Sequence, residues 1–146
     1  MEEREDKTIA SGNMTSPADS HTPPETFRLA EQAGVAKARL TWIDLITKSF
    51  LAGIFISLGS AFDITIVGGA PGLRSSNPAL ATLLGALVFP AGFVLIMLTN
   101  AELCTGNMFI MTYSTLRRRT TLYDLAKNLV ASYVFNLAGC LFYAGV

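Results

Sequence analysis

The sequence predicts an all-α integral membrane protein with three spanning helices, the second of them broken. Charge is divided sharply along the chain. Residues 1–48 hold eight acidic and six basic side chains, whereas residues 49–116 hold only Asp63, Arg74 and Glu102. A soluble surface needs more polar cover than three charges in 68 residues. The apolar runs match or exceed the ~20 residues that cross hydrocarbon. The longest, 78–116, exceeds a single crossing and carries a polar cluster, Asn100 to Asn107.

Residues 1–26 are expected to form a disordered tail. Residues 1–21 are rich in Ser, Thr, Asp, Glu and Gly and show no hydrophobic periodicity. The acidic opening Met1-Glu2-Glu3-Arg4-Glu5-Asp6 is no signal peptide. Thr22-Pro23-Pro24-Glu25 reads as a helix start, with Thr22 as cap, Pro23 in the first turn and Glu25 three residues on. The stretch from Phe27 to Leu40 has a modest apolar face, suited either to the membrane surface or to an exposed pre-membrane helix.

The first span is expected at about 45–67. Ser49, Gly53, Ser57 and Ala61 recur every four residues, a small-residue stripe that lets another backbone come close. Gly68-Gly69-Ala70-Pro71-Gly72 ends it. The region 78–116, as one helix, would measure about 58 Å against about 30 Å of hydrocarbon, so it must break. The break is placed near 101–106, between a long segment at 78–99 and a shorter helix at 107–116, with a kink at Pro90. Asn77-Pro78-Ala79 spells the signature tripeptide of water and glycerol channels, but at a loop edge its plain reading is an N-cap followed by a first-turn proline. Arg117-Arg118-Arg119 stops the apolar run, a connector covers Thr120 to Asn128, and the third span is 129–146.

Basic residues set the orientation. Arg28, Lys37, Arg39 and Lys48 precede the first span, and Arg117, Arg118, Arg119 and Lys127 separate the second and third. The loop between the first two spans has only Arg74. Positive charge stays inside, so the N-terminus and the arginine triplet are expected to be cytoplasmic. The triplet can also contact anionic lipid or nucleic acid, although its position is the ordinary topology signal. The formal net charge is zero, and nucleic acid is not an expected partner.

The break is where chemistry is expected. Irregular backbone at membrane depth survives only beside protein or water. The helix that restarts near Gly106 offers free N–H groups and a positive dipole end, which favour an anion. Thr105 adds an uncharged hydroxyl. A bare carboxylate does not suit an anion pathway, so Glu102 is expected to cap backbone N–H groups or pair with a base, as a structural clamp. Phe89 and Phe93, one turn apart, can form an apolar constriction or make ordinary lipid contact. Cys104 and Cys140 are too few for a disulfide framework, and His21 lies in the tail. No metal site, cofactor or enzymatic nucleophile–base pair is expected.

Ala101-Glu102-Leu103-Cys104-Thr105-Gly106-Asn107, followed by Leu125-Ala126-Lys127-Asn128 and Asn136-Leu137-Ala138-Gly139, resembles the formate/nitrite transporter family. So do Leu29 to Lys37 and Leu51 to Ser57. The likeness covers residues 27–146, taken as the N-terminal half of the family's domain, with wording most like the fungal nitrite transporters. It implies six spans in two inverted halves, an aquaporin-like protomer, a pentameric assembly in the plasma membrane, and transport of small monovalent anions such as nitrite or formate. The pathway residues it implies are Phe89 at the inner constriction, Phe93 above it, Leu103 at the outer constriction, Cys104, and Thr105 at the central anion site. Cys104 stands where bacterial members usually have Phe, and the family's pore histidine belongs to the half not seen here. The chain is therefore expected to be incomplete. The alternatives are a neutral-solute channel of the water/glycerol type and a non-transporting fragment that assembles with full-length partners.

Overall fold

The computed structural model describes residues 21–145, and the expected tail from residue 1 to 20 lies outside them. The described residues form α1 (Pro23–Ala38), α2 (Trp42–Gly69), α3 (Pro71–Ser76), α4 (Pro78–Val88), α5 (Pro90–Thr99), α6 (Cys104–Leu116) and α7 (Leu122–Gly145), with no strand among them. Three stretches are long and apolar enough to cross a membrane: Trp42–Gly69, Pro78–Thr99 and Leu122–Gly145. This is the predicted all-α architecture with a broken second span.

Side chains explain the helix starts. The Glu25 carboxylate accepts from the Thr22 backbone N–H and hydroxyl, both at 2.9 Å, and Pro23 needs no amide partner there. Helix α1 therefore begins at Pro23, inside the range assigned to a tail. Thr41 accepts from the Asp44 N–H at 3.2 Å and starts α2 at Trp42, three residues before the expected Leu45. Asn77 caps α4 by accepting from the Leu80 N–H at 3.2 Å. Thr121 and Asp124 cap each other reciprocally, so α7 begins at Leu122 rather than 129, and the supposed connector forms its first two turns. The loop between the first two spans is also more ordered than its glycines suggest, because α3 occupies Pro71–Ser76.

The break differs most from expectation. It covers Asn100 to Leu103, not 101–106, and the helix after it starts at Cys104, not 107. Asn100 closes α5 in a left-handed conformation (φ 50°, ψ 42°), which an asparagine tolerates better than most residues. Thr105 and Gly106 look like helix breakers locally. In the first turn of α6 they cost little, and a distant side chain caps the turn, as described below.

Helix α2 is the spine. It packs most extensively on α7, then on α5 and α4. It runs parallel to α7, since Leu40 and Trp42 meet Lys127 while Gly53 meets Asn136 and Cys140. It runs antiparallel to α4–α5, with Gly59 beside Phe89 and Asp63 beside Gly85. The stripe read from the sequence is used at Ser49 and Gly53, whereas Ser57 and Ala61 are only partly buried. Ser49, Ala52 and Gly53 are buried, and a Cβ on Gly53 would lie 2.2 Å from the Asn136 carbonyl oxygen. Helix α1 does not lie alone on a surface: it packs antiparallel along α6, with Ser114 against Gly34.

Candidate functional site: the interrupted second span

The four residues of the break are held from three sides. On α2, the Lys48 carbonyl accepts from the Glu102 N–H at 3.3 Å. On α5, the Ile96 carbonyl accepts from the Ala101 N–H at 3.0 Å. On α7, the Asn136 side chain does the most. Its amide donates to the Ser49 carbonyl at 2.7 Å and to the Glu102 carbonyl at 3.0 Å. Its Oδ1 accepts from the Cys104 N–H at 2.8 Å and so caps the first turn of α6. One asparagine thus partners the Glu102 carbonyl and the Cys104 N–H, which have no partner in a helix, and gives the Ser49 carbonyl a second bond.

Glu102 is 1% exposed. Its carboxylate meets a base rather than backbone amides. Lys37 Nζ from α1 donates to both oxygens at 2.8 Å, and the Asn107 side chain donates to one of them at 2.8 Å. A buried charge of this kind is tolerable only when paired and hydrogen-bonded, and both conditions are met here.

The residues implied by the resemblance fall into separate environments. Leu103 packs with Phe55 and Ile56 on the cluster of Ala52, Ile96 and Ala101. Cys104 is buried toward α7, with its thiol 3.7 Å from the Leu129 carbonyl. Thr105 is exposed, and nothing lies near Gly106 where a side chain would project. Phe89 and Phe93 are 36% and 45% exposed, one turn apart across the α4–α5 junction. Phe89 lies level with Gly59 of α2, and the break lies level with Lys48 to Ala52. Leu103 is therefore nearer the arginine-bearing end than Phe89.

The first N–H groups of α6 have no partner within their own helix. That of Cys104 goes to Asn136, and those of Thr105 and Gly106 sit on exposed residues. Helix α6 has 13 residues and so places this terminus about 20 Å from the arginine triplet. It stands opposite the middle of α7. The arrangement presents hydrogen-bond donors and a positive dipole end, with no bare carboxylate beside them.

Toward the other end of α6, Glu31 accepts from Arg117 Nε and, at 3.2 Å, from Arg119 Nε. Arg117 holds the Glu31 carboxyl below its ordinary range, helped by Arg119 and opposed by partial burial. Among the described residues, no cluster of three His, Cys, Asp or Glu side chains is placed to hold a metal.

The sequence singled out Glu102 and Thr105 but did not show that Asn136, Asn107 and Lys37 hold the break; Lys37 counted there only as a charge that sets orientation. The available signal was the polar residues inside an apolar span. Asn128, Ser132 and Asn136 recur every four residues on α7, and all three are buried.

Comparison with known proteins gives the family. Residues 24–146 match the family model described as formate/nitrite transporter. An uncharacterized transporter of Bacillus subtilis is 38% identical over 122 residues, covering 84% of this chain and 45% of that protein. A formate channel of Bacillus thuringiensis is 35% identical over 124 residues, covering 85% of this chain and 47% of its own length. The formate channel of Escherichia coli K12 is 32% identical over 127 residues, covering 87% and 43%. The chain thus spans less than half the length of each of these relatives. From its apolar spans, its interrupted second span and this match, the chain belongs to the formate/nitrite transporter family.

Proposed function

We propose that this chain forms one half of a transmembrane pathway for small monovalent anions, formate or nitrite, with the start of α6 as the place where the anion is met. The carrying observation is the exposed first turn at Thr105 and Gly106, opening opposite the middle of α7. Donors and a dipole attract a monoanion without the fixed charge that would trap it. Formate channels among the relatives support this substrate class. Glu102 acts as the clamp that holds the break. Phe89 and Phe93 contribute apolar walls on the outer side, and Leu103 and Cys104 shape the inner side. The N-terminus is inside, and the complete protein is a plasma-membrane homo-pentamer. The water-channel reading of Asn77-Pro78-Ala79 loses its footing, because Asn77 caps the start of a span and not a half-helix in mid-membrane.

Half a pathway leaves the α6 terminus facing lipid. Vesicles holding only this 146-residue chain should show no selective formate or nitrite flux. Flux should appear when the chain is completed by an inverted second half. In that complete protein Thr105→Val should slow anion flux about tenfold, the value of one hydrogen bond of about 1.4 kcal/mol. Robust selective flux through the chain alone, or glycerol swelling without formate flux in the completed protein, would overturn the proposal.

A further inference from the structure

Four arginines line one groove that runs along α1 beside the end of α6. Arg28 comes from α1 and Arg39 from the cap at its end, and Arg117 and Arg119 from the α6–α7 loop, some 80 residues later. The groove is about 660 Å³, and its one acidic side chain is Glu31. Glu31 is already engaged, because it takes the Nε–H of both Arg117 and Arg119. That contact orients the two guanidiniums and leaves their terminal nitrogens without partners among the described residues. Arg28 and Arg39 make no side-chain hydrogen bond or ion pair among the described residues. The held forks of Arg117 and Arg119 match a phosphate group, which accepts two parallel N–H bonds from a guanidinium, and Arg28 and Arg39 add positive charge along the groove.

A second feature adjoins the groove. Phe27, Tyr113, Arg28 and Arg117 line a neighbouring cleft. Phe27 and Tyr113 have ring centroids 5.8 Å apart, and Tyr113 stacks on Phe109 at 6.2 Å. Phe27 and Phe109 remain 52% and 64% exposed. This aromatic strip leads from the arginines along α6 toward the apolar part of the molecule. A charged pocket with an apolar strip beside it suits a ligand that has both parts.

We propose that the groove binds the phosphate headgroup of an anionic phospholipid, with an acyl chain lying along Phe27, Tyr113 and Phe109. Orientation in the membrane asks only that basic residues stay on one side. It does not require residues so distant in sequence to share a groove. Arg118 supplies the contrast: it carries the same charge in the same loop, but it has a left-handed backbone (φ 57°) and is not part of the groove lining.

The test uses the whole chain in neutral detergent, mixed with phosphatidylcholine that does or does not contain phosphatidic acid. Retained lipid is counted by native mass spectrometry, and helical content is checked by circular dichroism. The double variant Arg28→Gln with Arg39→Gln leaves the Glu31 contacts untouched. It should cut phosphatidic acid retention about tenfold or more, as loss of charge-assisted bonds implies. Arg118→Gln should leave retention unchanged. A second arm adds inorganic phosphate alone. Tight binding of inorganic phosphate that depends on Arg28 and Arg39, with no lipid retention, would overturn the lipid assignment. Equal losses from Arg118→Gln and the double variant, or no loss from either, would overturn the groove itself.

Discussion

Asn136 shows how much one side chain can carry inside a membrane. It joins α2, the break and the start of α6 through three hydrogen bonds. Measured polar contacts in membrane proteins average about 0.6 kcal/mol each, so Asn136→Leu should cost about 2 kcal/mol. Reversible unfolding in bicelles would read this, and a cost near zero would mean that water or another group replaces the amide. Glu31 gives a pH-dependent prediction. Its carboxyl has an ordinary value of 4.5 and is lowered in the folded chain by Arg117 first and Arg119 second. A carboxyl lowered on folding stabilises the folded state above its unfolded value and loses that contribution as pH falls through the folded one. The α1–α6 contact should therefore be constant above about pH 5 and weaken only below 4.5. Hydrogen exchange of the α1 amides across a pH series would show it, and Glu31→Gln should remove the acid dependence at the α6 end of the contact, leaving that of the Glu25 cap at the first turn.

At the scale of elements, close approach of backbones decides the packing. Gly53 meets α7 so tightly that an added Cβ would sit 2.2 Å from the Asn136 carbonyl oxygen, whereas Gly106 has nothing within 4 Å. Gly53→Ala should therefore push α2 from α7 and cost about 1–3 kcal/mol, while Gly106→Ala should leave stability unchanged. Thermal unfolding of the two variants side by side is the check, and equal effects would contradict the packing described. The Lys37–Glu102 pair ties α1 to the break in a similar way. Lys37→Met alone strands a buried carboxylate, at a cost of about 3–5 kcal/mol. Adding Glu102→Gln should restore most of it, so a double-mutant cycle should give a coupling above about 1 kcal/mol. Additive losses would mean that the two side chains act independently.

At the scale of the whole molecule, the two ends differ in kind. One end gathers Arg28, Arg39, Arg117 and Arg119, and the other holds α3 with Arg74. A membrane with basic residues retained inside therefore places Ser75 and Thr120 on opposite sides. Single cysteines at these positions, in whole cells, should label from outside at Ser75→Cys and only after permeabilisation at Thr120→Cys. The opposite pattern would invert the proposed orientation. Between the ends, large apolar side chains face outward, among them Leu87, Met97, Leu98 and Leu141. Such faces are stable against lipid or a protein partner, not in water.

The amino-acid order alone determined the class, the number of spans, the basic end and the need for an interruption near Glu102. These follow from local quantities: apolar run length against bilayer thickness, and charge against hydrocarbon. Asn77 as a cap and the stripe through Ser49 and Gly53 were legible for the same reason. The tertiary structure alone decided where the interruption stops. Leu103 is its last residue because an asparagine 32 positions beyond Cys104 supplies the cap that lets α6 begin early. It also decided that Glu102 pairs with Lys37, 65 positions away, and that Arg28 shares a groove with Arg119. Local pattern carries no record of such pairings. They arise when helices of fixed length are packed side by side, and only then do buried polar groups find the partners that a dry interior demands.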